Sequence, residues 1–481
     1  MVARRARQRT AALLTAVIVA AAVVLGLGGP ERPGWPGAAG PVAGPVAAAR
    51  TPAPHASYGQ AAKPWPGPAA AEPVRLGGLA ILLRDDPALA GCTGPAGGVP
   101  PVTGTDPLPA VQRQTELIRG LELAEPVEID LLDEAEMTDL VVAAFGPQWD
   151  DERIDTDRRA LAALGAIEPG TDLRTLRVDV FAEQVSGYFL GSENGIGVRT
   201  RDPDALAPLE RVVLSHEVEH ALTYQSLARP EAGTPDGRRA AAAVVEGSAA
   251  LTMRMYAHSA LTPTEQVRVR SALRARAGRD ELSGYSPYLL AELQFPYVEG
   301  ARYLCHRWRE GGWAAVDAAY ADPPRTSAAV LFPDRPDEPP RQPGPLGDPG
   351  DRWDRARTSE FGAAELLWLL AAPGGDVEAA LPDARSRAAA WHGGDLTVWT
   401  DGAGSAVGLT LVGRSSGPSL CDTVNAWYRA AFPDAVAATG GDGRGGATFT
   451  GGEQRAVLAC DGDEVRLGIA PDPATASAIA G

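Results

Sequence analysis

The sequence is sparing with the residues that most often build metal sites. Among 481 residues there are six histidines and four cysteines, and Lys63 is the only lysine. The cysteines, Cys92, Cys305, Cys421 and Cys460, stand nowhere at metal-ligand spacing, which argues against a thiolate zinc site. Positive charge is also short: 44 basic residues face 61 acidic ones, for a net charge of −17. That balance argues against nucleic acid and anionic membrane surfaces as partners. The lysine deficit beside abundant arginine, alanine, glycine and proline reads as coding bias and carries no chemistry.

What is present begins with an export pattern. Arg4, Arg5, Arg7 and Arg9 precede a charge-free apolar run from Ala11 to Leu27. No small-x-small site closes the run, so residues 1–30 are expected to be either a cleaved signal peptide or an uncleaved membrane anchor. At about 17 residues the run is only just long enough to span. No cysteine follows it closely, which argues against lipoprotein anchoring. Residues 31–107 are rich in proline, glycine and alanine and are expected to form a linker or stalk, with a first strand within Val74–Leu83. His55 falls in this stretch and is given no role. In an exported chain an even number of cysteines implies disulfides. Three pairings are open, and Cys421–Cys460 is expected because both lie in one small C-terminal module.

The stretch LSHEVEHALTYQ, residues 214–225, holds His216, Glu217 and His220 in an H-E-x-x-H arrangement. With six histidines in the chain, roughly 0.005 such matches are expected by chance. On a helix, residues four apart share a face, so both imidazoles can reach one metal ion at about 2.0–2.1 Å. Glu217, turned about 100° away from His216, leaves the ligand face but can reach a water on the metal. Leu209, Val212, Val213, Leu214, Val218, Ala221 and Leu222 wrap this helix in apolar surface, which predicts that it is buried. Buried imidazoles and carboxylates need partners, and a metal supplies one.

A third ligand is sought downstream. Glu246 sits in AVVEGSAAL, 26 positions after His220, on a helix expected over Arg238–Tyr256. A carboxylate among alanine and valine is costly unless it meets a cation. Gly247 would let neighbouring helices approach closely. Glu231, the nearest rival, sits in a loop beside Pro230. Before the metal helix, VSGYFLGSENGIGVRT at 185–200 predicts a hairpin turning at Asn194-Gly195. From about Ala390 the pattern changes to a small β-β-α-β-β module with no chemistry of its own, and His392 there reads as a packing or surface residue.

HExxH with a downstream Glu-Gly resembles the glutamate-type zincins, the gluzincins. More closely, the chain is similar to a largely uncharacterised set of bacterial and archaeal zinc metallopeptidases. Arg119-Gly120-Leu121, Gly187-Tyr188-Phe189, HEVEHALTYQ, EGSA, FPYVEG at 295–300, GGW at 311–313, PPRTSAAVLFP at 323–333 and AWHGGD at 390–395 carry the likeness in order over about residues 110–400. Ser248 stands where that set often has Asp, and Thr223-Tyr224 replaces Gln-Asp. Those positions are expected to orient the ligands. The resemblance implies a mainly helical zincin-like metallopeptidase domain with a small sheet over 108–375; with the small α+β module read from the residue pattern at 376–481, the expected fold class is α+β. The resemblance also implies that Tyr297 hydrogen-bonds the developing oxyanion, although a packing aromatic is an equal alternative. Tyr256 and His258 are weaker candidates for the same role. An edge strand of the hairpin, Gly187–Leu190 or Ile196–Arg199, would pair with an extended substrate, a merely structural hairpin being an equal alternative.

The expected function is an exported zinc-dependent peptidase. Zinc is held by His216, His220 and Glu246 with water in the open fourth position, and Glu217 serves as base. The partner is then a peptide or protein substrate. The alternative is a non-catalytic zinc-binding or cell-surface interaction protein. Glu217 weighs against it, because a purely structural site needs no base and is normally closed by four protein ligands.

Overall fold

Capping side chains, proline and glycine set the helix ends. In α1 (Pro107–Arg119) the Asp106 carboxylate accepts from the Leu108 N–H at 3.0 Å, Pro107 occupies the first turn, and Gly120 ends the helix at φ 74°. The computed structural model describes residue 83 and residues 86–95, 98–100, 106–145, 150–191, 193–202, 205–277, 285–415, 417–439, 446–452 and 454–481. The segment 1–30, His55, and the strand expected at Val74–Leu83 (Leu83 itself apart) lie outside the described residues.

The fold is α+β, about half helical, with two sheets. After α1 come β1 (Glu128–Leu132), α2 (Glu134–Phe145), α3 (Asp151–Ala163) and α4 (Leu173–Gln184). The expected hairpin follows as β2 (Gly187–Leu190) and β3 (Gly195–Arg199), with Asn194 at φ 48° in the turn. Three strands form the first sheet in the order β1-β3-β2. β1 runs parallel to β3, and β2 runs antiparallel to it. β3 is therefore paired on both sides and β2 is an edge. Of the two strands considered for substrate pairing, only Gly187–Leu190 keeps a free edge in this sheet.

α5 (Pro208–Ser226) carries the HExxH motif. Pro208 suits its first turn, and the Glu210 carboxylate accepts from the Ala207 N–H at 2.8 Å. α6 (Pro235–Ser259) is capped by the Thr234 hydroxyl, which accepts from the Gly237 N–H at 3.1 Å. After α7 (Pro263–Ala277) comes α8 (Pro287–Ala321), and here the sequence misleads. Phe295-Pro296-Tyr297 suggests a helix start, yet Pro296 lies inside α8, which begins at Pro287. Phe295, Val298, Ala301 and Leu304 bury the surrounding turns, and this packing outweighs the hydrogen bond that Pro296 cannot make. Ala314 to Tyr320 reads from the sequence as a separate helix; the break before it falls at Gly311-Gly312, where Gly312 adopts φ 64° and ψ −154°.

The 321–352 stretch, expected as loop, contains the short helix α9 (Ser327–Leu331). Next come β4 (Asp354–Glu360), α10 (Ala363–Ala371), α11 (Ala384–Ala388), β5 (Trp391–Thr400), β6 (Ser405–Gly413), α12 (Leu420–Ala431), β7 (Val436–Thr439), β8 (Ala447–Thr450), β9 (Arg455–Asp461), β10 (Glu464–Ala470) and α13 (Pro473–Ala480). An antiparallel seven-stranded sheet results, in the order β4-β5-β6-β10-β9-β8-β7. It exceeds the expected β-β-α-β-β pattern by three strands, β4 among them, and by α13. β4 reads DRARTSE and is mostly exposed, so no apolar alternation announces it; it exists by pairing with β5. That edge strand is drawn from upstream of residue 376.

Helices and large sheet share one core. Met137, Ile154, Leu161, Leu290 and Leu293 cluster with Trp391, Leu409 and Leu467. A second core joins Val212, Leu214, Val218 and Leu222 of α5 to Leu251 and Met255 of α6, Leu304 of α8, and Ile196 and Val198 of β3. Cys421 pairs with Cys460, as expected, and Cys92 pairs with Cys305. The second bond, with buried Leu89, fastens residues 86–92 onto α8, although they fall within the stretch expected as linker. No helix among the described residues is long and apolar enough to cross a membrane.

Gly247 does permit a close helix approach, but toward α8. A Cβ there would lie 2.4 Å from the Gly300 carbonyl carbon, and one on Gly300 would lie 2.2 Å from the Ala243 carbonyl oxygen. Gly247→Ala is predicted to destabilise the fold by about 1–3 kcal/mol or more in chemical denaturation. Gly170→Ala, whose Cβ would meet nothing within 4 Å, should change little. Equal stability of the two variants would contradict the contact.

Candidate metal centre

Two helices bring the donors together. His216 and His220 project from α5 and meet Glu246 of α6. The two Nε2 atoms stand 3.1 Å apart, and Oε2 of Glu246 lies 3.4 Å from His216 Nε2 and 3.3 Å from His220 Nε2. A tetrahedral ion with bonds of about 2.0–2.1 Å holds its donors about 3.3–3.4 Å apart, so the triangle is sized for one. His216 and Glu246 are buried and His220 is half-buried. Oε2 of Glu246 is buried without a hydrogen bond, although both imidazoles face it. A buried carboxylate oxygen in this setting calls for positive charge, which either a protonated His220 or a bound metal ion supplies. The cluster can hold a metal ion.

The electrostatics agree. Burial pushes the Glu246 carboxyl up, but His220 and His216 outweigh it and hold the group far below its ordinary value. Burial pulls His220 down, yet Glu246, Glu217 and Glu219 around it raise it to about 9. Glu217, on α5 between the two histidines, is buried and absent from the donor triangle. Burial raises its carboxyl, His216 and His220 oppose that, and the net shift is upward. That is the direction useful to a general base, before any metal's own charge is counted. A Cβ on Gly187 would lie 2.7 Å from Glu217 Oε1, so the edge strand β2 comes as close to Glu217 as a glycine allows.

Tyr297 of α8 also arrives here. Its ring stacks on His216, with centroids 5.9 Å apart and planes 26° from parallel. Burial, then Glu246 and Glu217, push its hydroxyl well above the ordinary range, so it stays a proton donor. The other candidates do not join. Glu231 is exposed, and the Tyr256 hydroxyl donates to Gln114 Oε1 at 3.1 Å. His258 is outside the donor cluster, and His392 lies 3.6 Å from Glu338.

Sequence spacing did not single out the charged cluster beneath the motif. Glu219 of α5 is fully buried and accepts from Arg119 Nε at 3.2 Å and from the Ser248 hydroxyl. Arg119 also donates to Asp317 Oδ1 at 2.5 Å and lies over the Trp313 ring at 4.4 Å. Glu219 carries the same signal as Glu246, a carboxylate set in an apolar helix. Its partner, however, is 100 positions away.

No protein-family model, curated protein or solved structure matches the chain. The class that fold and site define is an α+β protein with a buried His-His-Glu cluster suited to a metal.

Without metal, His220 carries a proton at neutral pH, and a metal must expel it to bind. Apparent zinc affinity is therefore predicted to rise by about tenfold per pH unit between about pH 6 and 8.5, as competition titrations with a chelator would show. Affinity that is flat or falling over that window would contradict the arrangement.

Proposed function

We propose that the chain is an exported zinc-dependent peptidase of the glutamate-type zincin class. One observation carries the proposal: three donors converge at tetrahedral spacing while a fourth buried group, Glu217, stands beside them without joining. Two imidazoles and one carboxylate match the donor set of catalytic zinc, which keeps an open position. A site kept only for stability is normally closed by four protein ligands and has no use for Glu217.

A divalent metal held there supplies Lewis acidity, which makes water a better nucleophile and polarises a carbonyl oxygen. The chain's own residues do the rest. The Glu217 carboxylate takes the proton from the attacking water and returns it to the leaving amine. The Tyr297 hydroxyl donates to the oxygen on which charge develops. β2, the edge strand whose Gly187 packs against Glu217, pairs with an extended substrate backbone and so aims the scissile bond. Two disulfides support an oxidising destination outside the cytoplasm.

The test is cleavage of a diverse peptide pool by the full chain, with and without chelator, alongside Glu217→Gln. Glu217→Gln is expected to fold and to retain zinc, but to lose a factor on the order of 10²–10⁴ in kcat. Cleavage by Glu217→Gln at the wild-type rate would overturn the mechanism. A zinc-loaded wild type that cleaves nothing would favour a non-catalytic zinc-binding protein.

A further inference from the structure

We infer that Glu219 is a positioning residue of the metal centre, clamped by Arg119 and Ser248 so that its second oxygen orients His220 through Nδ1. This rests on the metal-binding role assigned to His220. Glu219 directly precedes that histidine on α5 and is fully buried. Its two oxygens have different fates. Oε1 accepts from Arg119 Nε and from the Ser248 hydroxyl, groups on α1 and α6. Oε2 is buried with no hydrogen bond among the described residues, 4.0 Å from Nδ1 of His220, and the Tyr320 hydroxyl in the same pocket of charge is likewise unbonded.

The imidazole's own chemistry points the same way. His220 turns Nε2 toward His216 Nε2 and Glu246 Oε2, at 3.1 and 3.3 Å. A neutral imidazole that binds a metal through Nε2 must carry its one hydrogen on Nδ1. That hydrogen then faces Glu219 Oε2, and a shift of about 1 Å closes the pair to hydrogen-bond length. A carboxylate in this position fixes the tautomer and ring angle of a ligating histidine and strengthens its lone pair. A merely structural tie between helices would account for Oε1 and Arg119 alone. It would leave a second, desolvated carboxylate oxygen without a purpose, and buried polar atoms are rarely left so.

Arg119 determines how the test must be built. It is buried, and although burial alone would lower its pKa, Glu219 and Asp317 keep it charged. Glu219→Gln leaves the buried Arg119 cation with Asp317 but without its buried carboxylate partner, and is expected to lower the melting temperature. The double variant Arg119→Met/Glu219→Gln removes both charges and should recover much of that loss. Zinc affinity of the full chain, read by competition with a chromophoric chelator, separates the roles. Orientation by Glu219 predicts zinc binding weaker by about 10–100-fold in the single and the double variant alike. If the double variant regains wild-type zinc affinity along with its stability, Glu219 is only a structural tie. Should the variants not fold, the wild type still decides. In its zinc-loaded form the Nδ1 proton of His220 should give a strongly downfield, exchange-protected ¹H–¹⁵N signal, and an unprotected Nδ1 proton would overturn the inference. A wild type that takes up no zinc would instead remove the metal centre itself.

Discussion

Burying several carboxylates and two imidazoles against one another is the constraint that the helical body is built to meet. Each of these groups, stripped of water, would be costly alone. Glu246 meets the two histidines, Glu219 meets Arg119, and Glu217 lies between with its carboxyl pushed upward. The backbone is shaped to allow this. Gly187 lets β2 settle against Glu217, and the Gly247–Gly300 contact seats α6 on α8. The apolar side chains of α5 do not form the site, but they exclude the water that would otherwise weaken every one of these pairings.

α8 is fastened at several points, and it carries Tyr297. The Cys92–Cys305 bond holds it to the 86–92 segment, and Arg302 meets Asp86 at 2.7 Å. Glu299, paired with Arg302 at 2.6 Å, also takes Arg385 of α11 at 2.9 Å. Burial pushes the Glu299 carboxyl up, but Arg385 and Arg302 hold it at about 2, so the pairing survives well into acid. Through α11 and the shared core, the large sheet helps to fix the helix whose tyrosine stacks on His216. The sheet's service to the site is mechanical.

How much of this could be read from the chain depends on the range of the forces involved. The His216–His220–Glu246 cluster was legible because HExxH sets two imidazoles on one face through helix periodicity alone, and Glu246 stands out as a carboxylate in an alanine-rich helix. Asn194-Gly195 announced its hairpin by turn chemistry, again a local effect. The start of α8 was not legible: Pro296 looks like a first-turn proline, and only tertiary packing reveals it as interior. β4 was invisible because an exposed polar strand depends on its neighbour and has no pattern of its own. The Arg119–Glu219–Ser248 cluster joins three helices across 100 and 29 positions, and no local rule reports a pairing at that range.

The central claim is that His216, His220 and Glu246 jointly hold one zinc ion. X-ray absorption at the zinc edge, on full chain purified without added chelator, tests it most directly. About one zinc per chain is predicted, in a first shell of nitrogen and oxygen only at about 2.0–2.1 Å, with scattering from two imidazoles. Sulfur in that shell, scattering from fewer than two imidazoles, or no stoichiometric zinc at all would contradict the account.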